Sequence, residues 1–121
     1  MLNTLFLNAT TPESMKVISQ LDEQGHQSRI ANSLQAAIRA LEEYVPDLIV
    51  IDASLEFSST TALIYIRNMF SGKIAAYGEK ISAATRQLLV HLGITVILRS
   101  ISEIASLLLS RSSGHALTGA A

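Results

Sequence analysis

The sequence contains no cysteine, and this absence removes several classes of function at once. A chain without thiols forms no disulfide, binds no metal through cysteine sulfur and uses no cysteine nucleophile. Disulfides belong to oxidising compartments, so a chain that does without them fits a cytoplasmic protein. The composition therefore predicts a cytoplasmic domain that is stabilised by its core and not by covalent cross-links.

Charge is also scarce, and neither sign is in excess. Nine Lys and Arg residues stand against ten Asp and Glu residues, which gives a formal net charge of −1. No basic stripe stands out, so we do not expect nucleic-acid binding by this domain. No apolar run approaches the ~20 residues of a membrane span, and the first residues lack the basic region and cleavage site of a signal peptide. The sequence therefore predicts neither a membrane span nor a secretory leader.

Apolar residues are what the chain has in quantity. They make up 49% of the 121 residues, and the mean hydropathy is +0.36. A chain of this length fits one domain and buries roughly two-thirds of its unfolded surface. The high mean hydropathy predicts a large core, with an apolar surface left for a partner.

Strand-like and helix-like segments alternate five times along the chain. This alternation predicts right-handed βαβ units and a parallel sheet, which is a (βα)₅ α/β domain over residues 1–111. Residues 112–121 are rich in Ser, Gly and Ala, which predicts a flexible tail or the start of a linker. The predicted strands are Leu2–Asn8, His26–Ala31, Leu48–Ile51, Ile74–Tyr77 and Ile94–Leu98. The predicted N-caps are Thr11, Ser33 and Ser82, and the predicted C-terminal glycines are Gly25 and Gly93.

Two neighbouring segments carry the most regular patterns. Leu48–Ile51 is a run of four apolar residues, which predicts a strand buried on both faces of the sheet, with Ile49 and Ile51 on opposite faces. A helix is predicted over Thr60–Phe70, and Met69 is assigned to its inward face. The second strand candidate is polar, which suits a strand at the edge of the sheet.

Chemistry in an open parallel sheet lies at the carboxyl ends of the strands. We find no Gly-rich phosphate loop and no nucleophile elbow in the sequence. The three histidines are far apart and lack a second ligand at helical spacing, so no metal site is predicted. The residues alone therefore predict no catalytic group. The strand-end residues are Asn8, Ala9, Thr10, Asp52, Tyr77, Gly78, Arg99 and Ser100.

The segment Pro46–Asp52 resembles the third strand of a response-regulator receiver (CheY-like) domain, which ends at the aspartate that accepts phosphate. Gly25 stands where that family has a glycine after its first helix, and Leu92-Gly93-Ile94 is similar to the segment before its fifth strand. The resemblance covers residues 2 to about 111. It implies a flavodoxin-like, CheY-like sheet of strand order 2-1-3-4-5 with helices on both faces, and it makes Asp52 the candidate phospho-acceptor.

The sequence departs from the receiver pattern at the other chemical positions. Two adjacent acidic residues would hold Mg²⁺ after the first strand, and here they are replaced by Asn8 and Ala9, so Mg²⁺ binding is not expected. Gly78 replaces the Ser or Thr that binds a phosphoryl oxygen. Ser100 replaces the lysine that pairs with the phosphate, and alternation along the fifth strand predicts that Arg99 points to the other face.

These departures leave three hypotheses open. The preferred one is a pseudo-receiver: a signalling module that acts by protein–protein interaction, through a homodimer or an effector domain, and has no cofactor. The alternative is a phosphorylatable receiver that uses Asp52, with Glu13 or Arg99 compensating for the missing groups. An enzyme or small-ligand domain of flavodoxin-like topology is the third, and fold alone does not support it. A lone strand-end aspartate is also a common turn former.

The last helix is the candidate interface. Its apolar run is wider than one inward stripe requires, so part of it is predicted to be exposed and to bind a second copy or an effector. Deep packing of the whole helix is the other interpretation of the same run. The candidate interface residues are Ile101, Ile104, Ala105 and Leu108.

Overall fold

The structure is a computed structural model, and it describes residues 2–7, 11–53, 60–94 and 96–112. Five parallel strands form one sheet in the order β2-β1-β3-β4-β5, which confirms the predicted topology. The strands are β1 Asn3–Leu7, β2 Gln27–Ala31, β3 Leu48–Asp52, β4 Lys73–Tyr77 and β5 Val96–Leu98. The helices are α1 Pro12–Glu23, α2 Leu34–Glu43, α3 Thr60–Met69, α4 Ala83–His91 and α5 Ile101–Ser112.

Local sequence chemistry places the helix ends where we predicted them. The side chains of Thr11, Ser33 and Ser82 each accept a hydrogen bond, 3.1 Å long, from a backbone N–H in the first turn of the helix that follows. Gly25 and Gly93 have φ angles of +87° and +81°. A residue with a Cβ adopts such a backbone conformation only under strain. The helices therefore begin and end on short-range interactions that are visible in the sequence.

The core consists of two layers, one on each face of the sheet. One layer packs against α2, α3 and α4, and the other packs against α1 and α5, so helices cover both faces as predicted. Ile49 and Ile51 both belong to the first layer, whereas Leu48 and Val50 belong to the second. The prediction that Ile49 and Ile51 lie on opposite faces was therefore wrong, because side chains two residues apart on a strand share a face.

The edge strand β2 is protected by charge. Arg29 in β2 donates a 2.8 Å hydrogen bond to the Glu43 carboxylate, and its guanidinium lies 4.9 Å from the centre of the Tyr44 ring. A charged side chain of this kind discourages strand pairing along an open edge. The predicted edge position of the second strand is confirmed, and this edge is a poor place for a partner strand.

Two further details of the helices bear on function. Met69 is 38% exposed, so its predicted inward position was wrong. α5 extends to Ser112, one residue into the predicted tail at residues 112–121, and the remaining residues 113–121 lie outside the described part of the chain. Within the described part of the chain, no helix combines the length and the apolar character that a bilayer-spanning segment needs.

Candidate functional site

The candidate site is a cleft at the carboxyl ends of the strands. Asp52 is the last residue of β3, it is 6% exposed, and it borders a cleft of about 430 Å³. We call this the strand-end cleft. The sheet therefore brings together most of the strand-end residues that the sequence predicted. The residues that line the cleft are Thr11, Glu13, Asp52, Tyr77, Gly78, Glu79, Lys80, Arg99 and Ser100.

Asp52 lies directly beside Tyr77. The two residues are partners in the register of β3 and β4, so their side chains leave the same face of the sheet. Tyr77 is 7% exposed and belongs to the core layer under α1 and α5. Two backbone hydrogen bonds extend the sheet past this pair, since Ala53 N–H donates to the Tyr77 carbonyl at 2.8 Å and Gly78 N–H donates to Leu98 at 3.0 Å. The Asp52 carboxyl group is thus packed against a large aromatic side chain.

The Tyr77 hydroxyl is buried and has no hydrogen-bond partner among the described residues. The Ser14 hydroxyl and the Asp52 carboxylate are nonetheless close enough to act on its ionisation. Burial raises the pKa of the Tyr77 phenol, the Ser14 hydroxyl opposes this effect, and the Asp52 and Glu13 carboxylates add to it. The phenol is therefore held in its neutral form beside the aspartate.

Ser14 is itself fixed by the helix cap. It is fully buried in the first turn of α1, its N–H donates to Thr11 Oγ1 at 3.1 Å, and the two hydroxyl oxygens lie 2.8 Å apart. Tyr77 was predicted as a strand-end residue, but neither its contact with Asp52 nor the presence of Ser14 beside it was predicted from the sequence. The available clues were the register of β3 and β4 for Tyr77, and for Ser14 its place three residues after the N-cap.

The rim of the strand-end cleft carries charges of both signs. Glu13 and Glu79 supply carboxylates, and Lys80 and Arg99 supply cations. Arg99 was predicted to point away from the cleft, and this prediction was wrong. β5 ends at Leu98, so the alternation of a strand no longer applies at residue 99.

The donor set of the cleft does not match the family's Mg²⁺ site. Among residues 2–7, 11–53, 60–94 and 96–112, no three His, Cys, Asp or Glu side chains are grouped so that they could hold a metal ion. Asn8 and Ala9 lie outside the described residues, and neither side chain has a carboxylate. Gly78 brings no hydroxyl to the cleft and Ser100 brings no ammonium group, so the residues present do not fit the metal and phosphate sites of a receiver.

The candidate interface on α5 is largely a core element. Ile101, Ile104 and Ala105 are 1%, 0% and 4% exposed, because they pack against α1 and the sheet. The prediction that these three residues form an exposed interface was therefore wrong. The side chain of Leu108 lies outside the described residues. Leu107, at 39% exposed, is the described apolar residue that α5 presents to solvent.

Comparisons with known proteins agree with the topology. No protein-family model and no curated protein sequence matches the chain. A two-component response regulator from Clostridium difficile is similar in structure, with a TM-score of 0.77, 18% identity, and coverage of 95% of this chain and 98% of that one. A CheY-like receiver domain protein from Methanospirillum hungatei JF-1 gives a TM-score of 0.75 at 13% identity, with 92% and 93% of the two chains covered.

A third similar structure is the beryllofluoride-activated NtrC4 receiver domain dimer. Its TM-score is 0.72 at 16% identity, and the match covers 91% of this chain and 94% of that one. At these identities the likeness concerns the fold. Together with the strand order and the helices on both faces, it establishes that the chain has the CheY-like fold of response-regulator receiver domains.

Proposed function

We propose that this chain is a cytoplasmic signalling module that acts by binding another protein, without Mg²⁺-dependent phosphorylation of Asp52. The observation that carries the proposal is the packing of Asp52, which is 6% exposed beside the buried Tyr77 ring. An aspartate that accepts a phosphoryl group must be reached by the donor. Here Asp52 has little solvent exposure, and its side chain leaves the sheet beside an aromatic ring at the border of the strand-end cleft.

The chemistry of the strand-end cleft supports the same conclusion. Phosphoryl transfer depends on metal ions and cations that neutralise the phosphoryl oxygens. The sequence has an amide and a methyl group at residues 8 and 9, where the receiver family has carboxylates. Gly78 and Ser100 leave the two phosphate-binding positions without their usual groups. A module with such a cleft retains the receiver fold as a binding scaffold.

The similar structures support a signalling role. They include proteins described as response regulators and a receiver domain described as a dimer. The class of function that we propose is therefore protein recognition and not catalysis.

One observation favours the alternative of a phosphorylatable receiver. Arg99 and Lys80 line the same cleft as Asp52, and a guanidinium binds phosphoryl oxygens well. In that case Arg99 would take the place of the absent lysine. The carboxylate of Glu13, which also lines the cleft, would be the additional acidic group.

Labelling with a small phosphodonor tests the proposal against this alternative. The protein is incubated with the phosphodonor and millimolar Mg²⁺, and its intact mass is measured alongside that of Asp52→Asn. We expect no phosphorylated species with either protein. Labelling that requires both Asp52 and Mg²⁺ would overturn the proposal, and loss of that labelling in Arg99→Ala would identify the compensating cation.

A further inference from the structure

The strand-end cleft has the size and the lining of a site for a small polar molecule. Its volume of about 430 Å³ lies within the range of ligand pockets, which extends from about 300 to 1,000 Å³. Five of its nine lining residues are acidic or basic, and they are Glu13, Asp52, Glu79, Lys80 and Arg99. A cleft lined in this way suits a charged ligand better than an apolar one.

The order of the strands sets where these charges lie. Glu13 stands in the first turn of α1, which follows β1, and Asp52 ends β3. Lys80 and Arg99 come after β4 and β5. Because β1, β3, β4 and β5 are neighbours in that order, two carboxylates line one end of the cleft and two cations line the other, with Glu79 beside Lys80. The ends of β3 and β5 are two strand spacings apart, which is about 10 Å.

The cations of the cleft are not neutralised by its carboxylates. Among the described residues, neither Lys80 nor Arg99 forms an ion pair, and both side chains are exposed. A ligand with only negative groups would meet three carboxylates here, and a ligand with only positive groups would meet two cations. A molecule with one group of each sign has a partner at both ends of the cleft and avoids both repulsions.

A buried hydroxyl adds an uncharged polar group to the acidic end. Tyr77 lines the cleft and is 7% exposed, and its hydroxyl has no hydrogen-bond partner among the described residues. Burial raises the pKa of this phenol, and the Asp52 and Glu13 carboxylates add to the effect, which places the phenol close to both. A neutral phenol oxygen accepts a hydrogen bond from an ammonium group, so a ligand can satisfy it.

We infer that the strand-end cleft binds a small zwitterion, with its ammonium group towards Asp52 and Glu13 and its carboxylate towards Lys80 and Arg99. A guanidinium holds a carboxylate through two parallel hydrogen bonds, so Arg99 supplies the stronger contact at the basic end. The ligand needs no metal ion in order to join the two ends. The inference rests on the proposed function only for the ligand's role, which is to give a module without phosphorylation a chemical input.

Titration with ω-amino acids, followed by nuclear magnetic resonance of labelled protein, tests the inference. Glycine, γ-aminobutyrate and ε-aminocaproate carry the same two charges at increasing separation, whereas butyrate and butylamine carry one charge each. We expect γ-aminobutyrate or ε-aminocaproate to shift the resonances of Tyr77, Lys80 and Arg99 saturably at millimolar concentration. No saturable shift with these two probes, or equal shifts with glycine, butyrate or butylamine, would overturn the inference.

Two substitutions locate the bound probe. Arg99→Gln and Glu13→Gln each remove one charge, from opposite ends of the cleft. Each should raise the dissociation constant at least about tenfold, as the loss of a hydrogen bond to a charged group does. The matched control is Arg39→Gln, because Arg39 is exposed on α2 and does not line the cleft. Circular dichroism establishes that the variants are folded, and an effect of Arg39→Gln as large as that of Arg99→Gln would contradict a site in the cleft.

The titration separates this inference from the proposed function, because it contains neither Mg²⁺ nor a phosphodonor. Saturable binding of the probe together with phosphodonor labelling of Asp52 would contradict the proposed function and leave the zwitterion site standing. Absence of both binding and labelling would refute the zwitterion site and leave the proposed function standing.

Discussion

Replacing Tyr77 by phenylalanine removes one oxygen atom from the centre of the candidate site. The hydroxyl is buried without a hydrogen-bond partner among the described residues. A buried hydroxyl without a partner costs about 1–3 kcal/mol in protein mutational data. Phenylalanine keeps the aromatic ring in the core layer that also contains Phe6, Val50 and Ile104. We therefore expect Tyr77→Phe to be as stable as the wild type at pH 7, or more stable by about 1 kcal/mol.

The same substitution should change how stability depends on alkaline pH. Burial raises the pKa of Tyr77 in the folded chain, so above the ordinary pKa of about 10 the unfolded chain loses the phenolic proton first. Stability is then fully retained below pH 10 and falls as the pH rises towards the raised pKa, by up to about 1.4 kcal/mol per pH unit. Burial also raises the pKa of Tyr44, which gives an effect of the same sign. Tyr77→Phe removes one of these contributions, so its unfolding free energy should decline less steeply above pH 10.

Urea unfolding followed by far-ultraviolet circular dichroism measures both effects. With a slope of about 1–3 kcal/mol per molar urea, a change of 1 kcal/mol moves the midpoint by roughly 0.3–1 M. Tyr65→Phe is the matched control, because Tyr65 is 49% exposed on α3 and its hydroxyl should matter by less than about 0.5 kcal/mol. A decrease of about 1 kcal/mol or more in the unfolding free energy of Tyr77→Phe at pH 7 would contradict an unpartnered Tyr77 hydroxyl. Such a result would indicate that the Tyr77 hydroxyl forms a stabilising hydrogen bond with Ser14 or Asp52.

Three further substitutions test the fold. Ile51→Asp should leave no cooperative urea transition, since an unpaired charge at a fully buried position costs several kcal/mol; a folded variant would show that β3 is misplaced. Gly25→Ala should lower the unfolding free energy by about 1–2 kcal/mol. The left-handed backbone alone accounts for this loss, because no atom lies within 4 Å of the added Cβ. An unchanged urea midpoint would contradict the φ of +87°. Thr11→Ala should lower the unfolding free energy by about 1 kcal/mol in the same assay, because the N-cap hydrogen bond is lost. Thr11→Ser keeps a capping hydroxyl and should retain most of the wild-type stability. Equal losses in the two variants would argue against a cap.

The fold was largely predictable because its determinants are local. Thr11, Ser33 and Ser82 cap helices through contacts three residues away, and Gly25 ends a helix through its own backbone conformation. The run Leu48–Ile51 identified the central strand because both faces of a parallel sheet are covered. The error over Ile49 and Ile51 came from misapplying the alternation rule, and the sequence itself contained the correct answer.

The candidate site was predictable only in part, because it depends on register and on the exact ends of the strands. Asp52 was identified from the strand that it ends. Its neighbour Tyr77 follows from the pairing of β3 with β4, which no single segment encodes. Arg99 enters the cleft because β5 stops at Leu98, one residue before it. Strand ends are set by tertiary packing, and sequence patterns locate them poorly.

The burial of individual helix residues was also predictable only in part. Ile101 and Met69 are both apolar helix residues, and composition alone does not say which one is buried. Ile101 is 1% exposed because α5 packs against α1 and the sheet. Met69 is 38% exposed because it lies on the outward side of α3. The high mean hydropathy predicted an exposed apolar surface. Among the described residues, α3 exposes several large apolar side chains, whereas the predicted residues of α5 are buried.

The most direct test of the central claim is nuclear magnetic resonance of labelled protein, first with millimolar Mg²⁺ and then with beryllofluoride, which imitates an aspartyl phosphate. We predict that the resonances of residues around Asp52 stay unchanged at both steps, in the wild-type chain and in Asp52→Ala alike. Shifts that cluster around Asp52 and Arg99, and that disappear in Asp52→Ala, would contradict it and would identify a working phosphorylation switch.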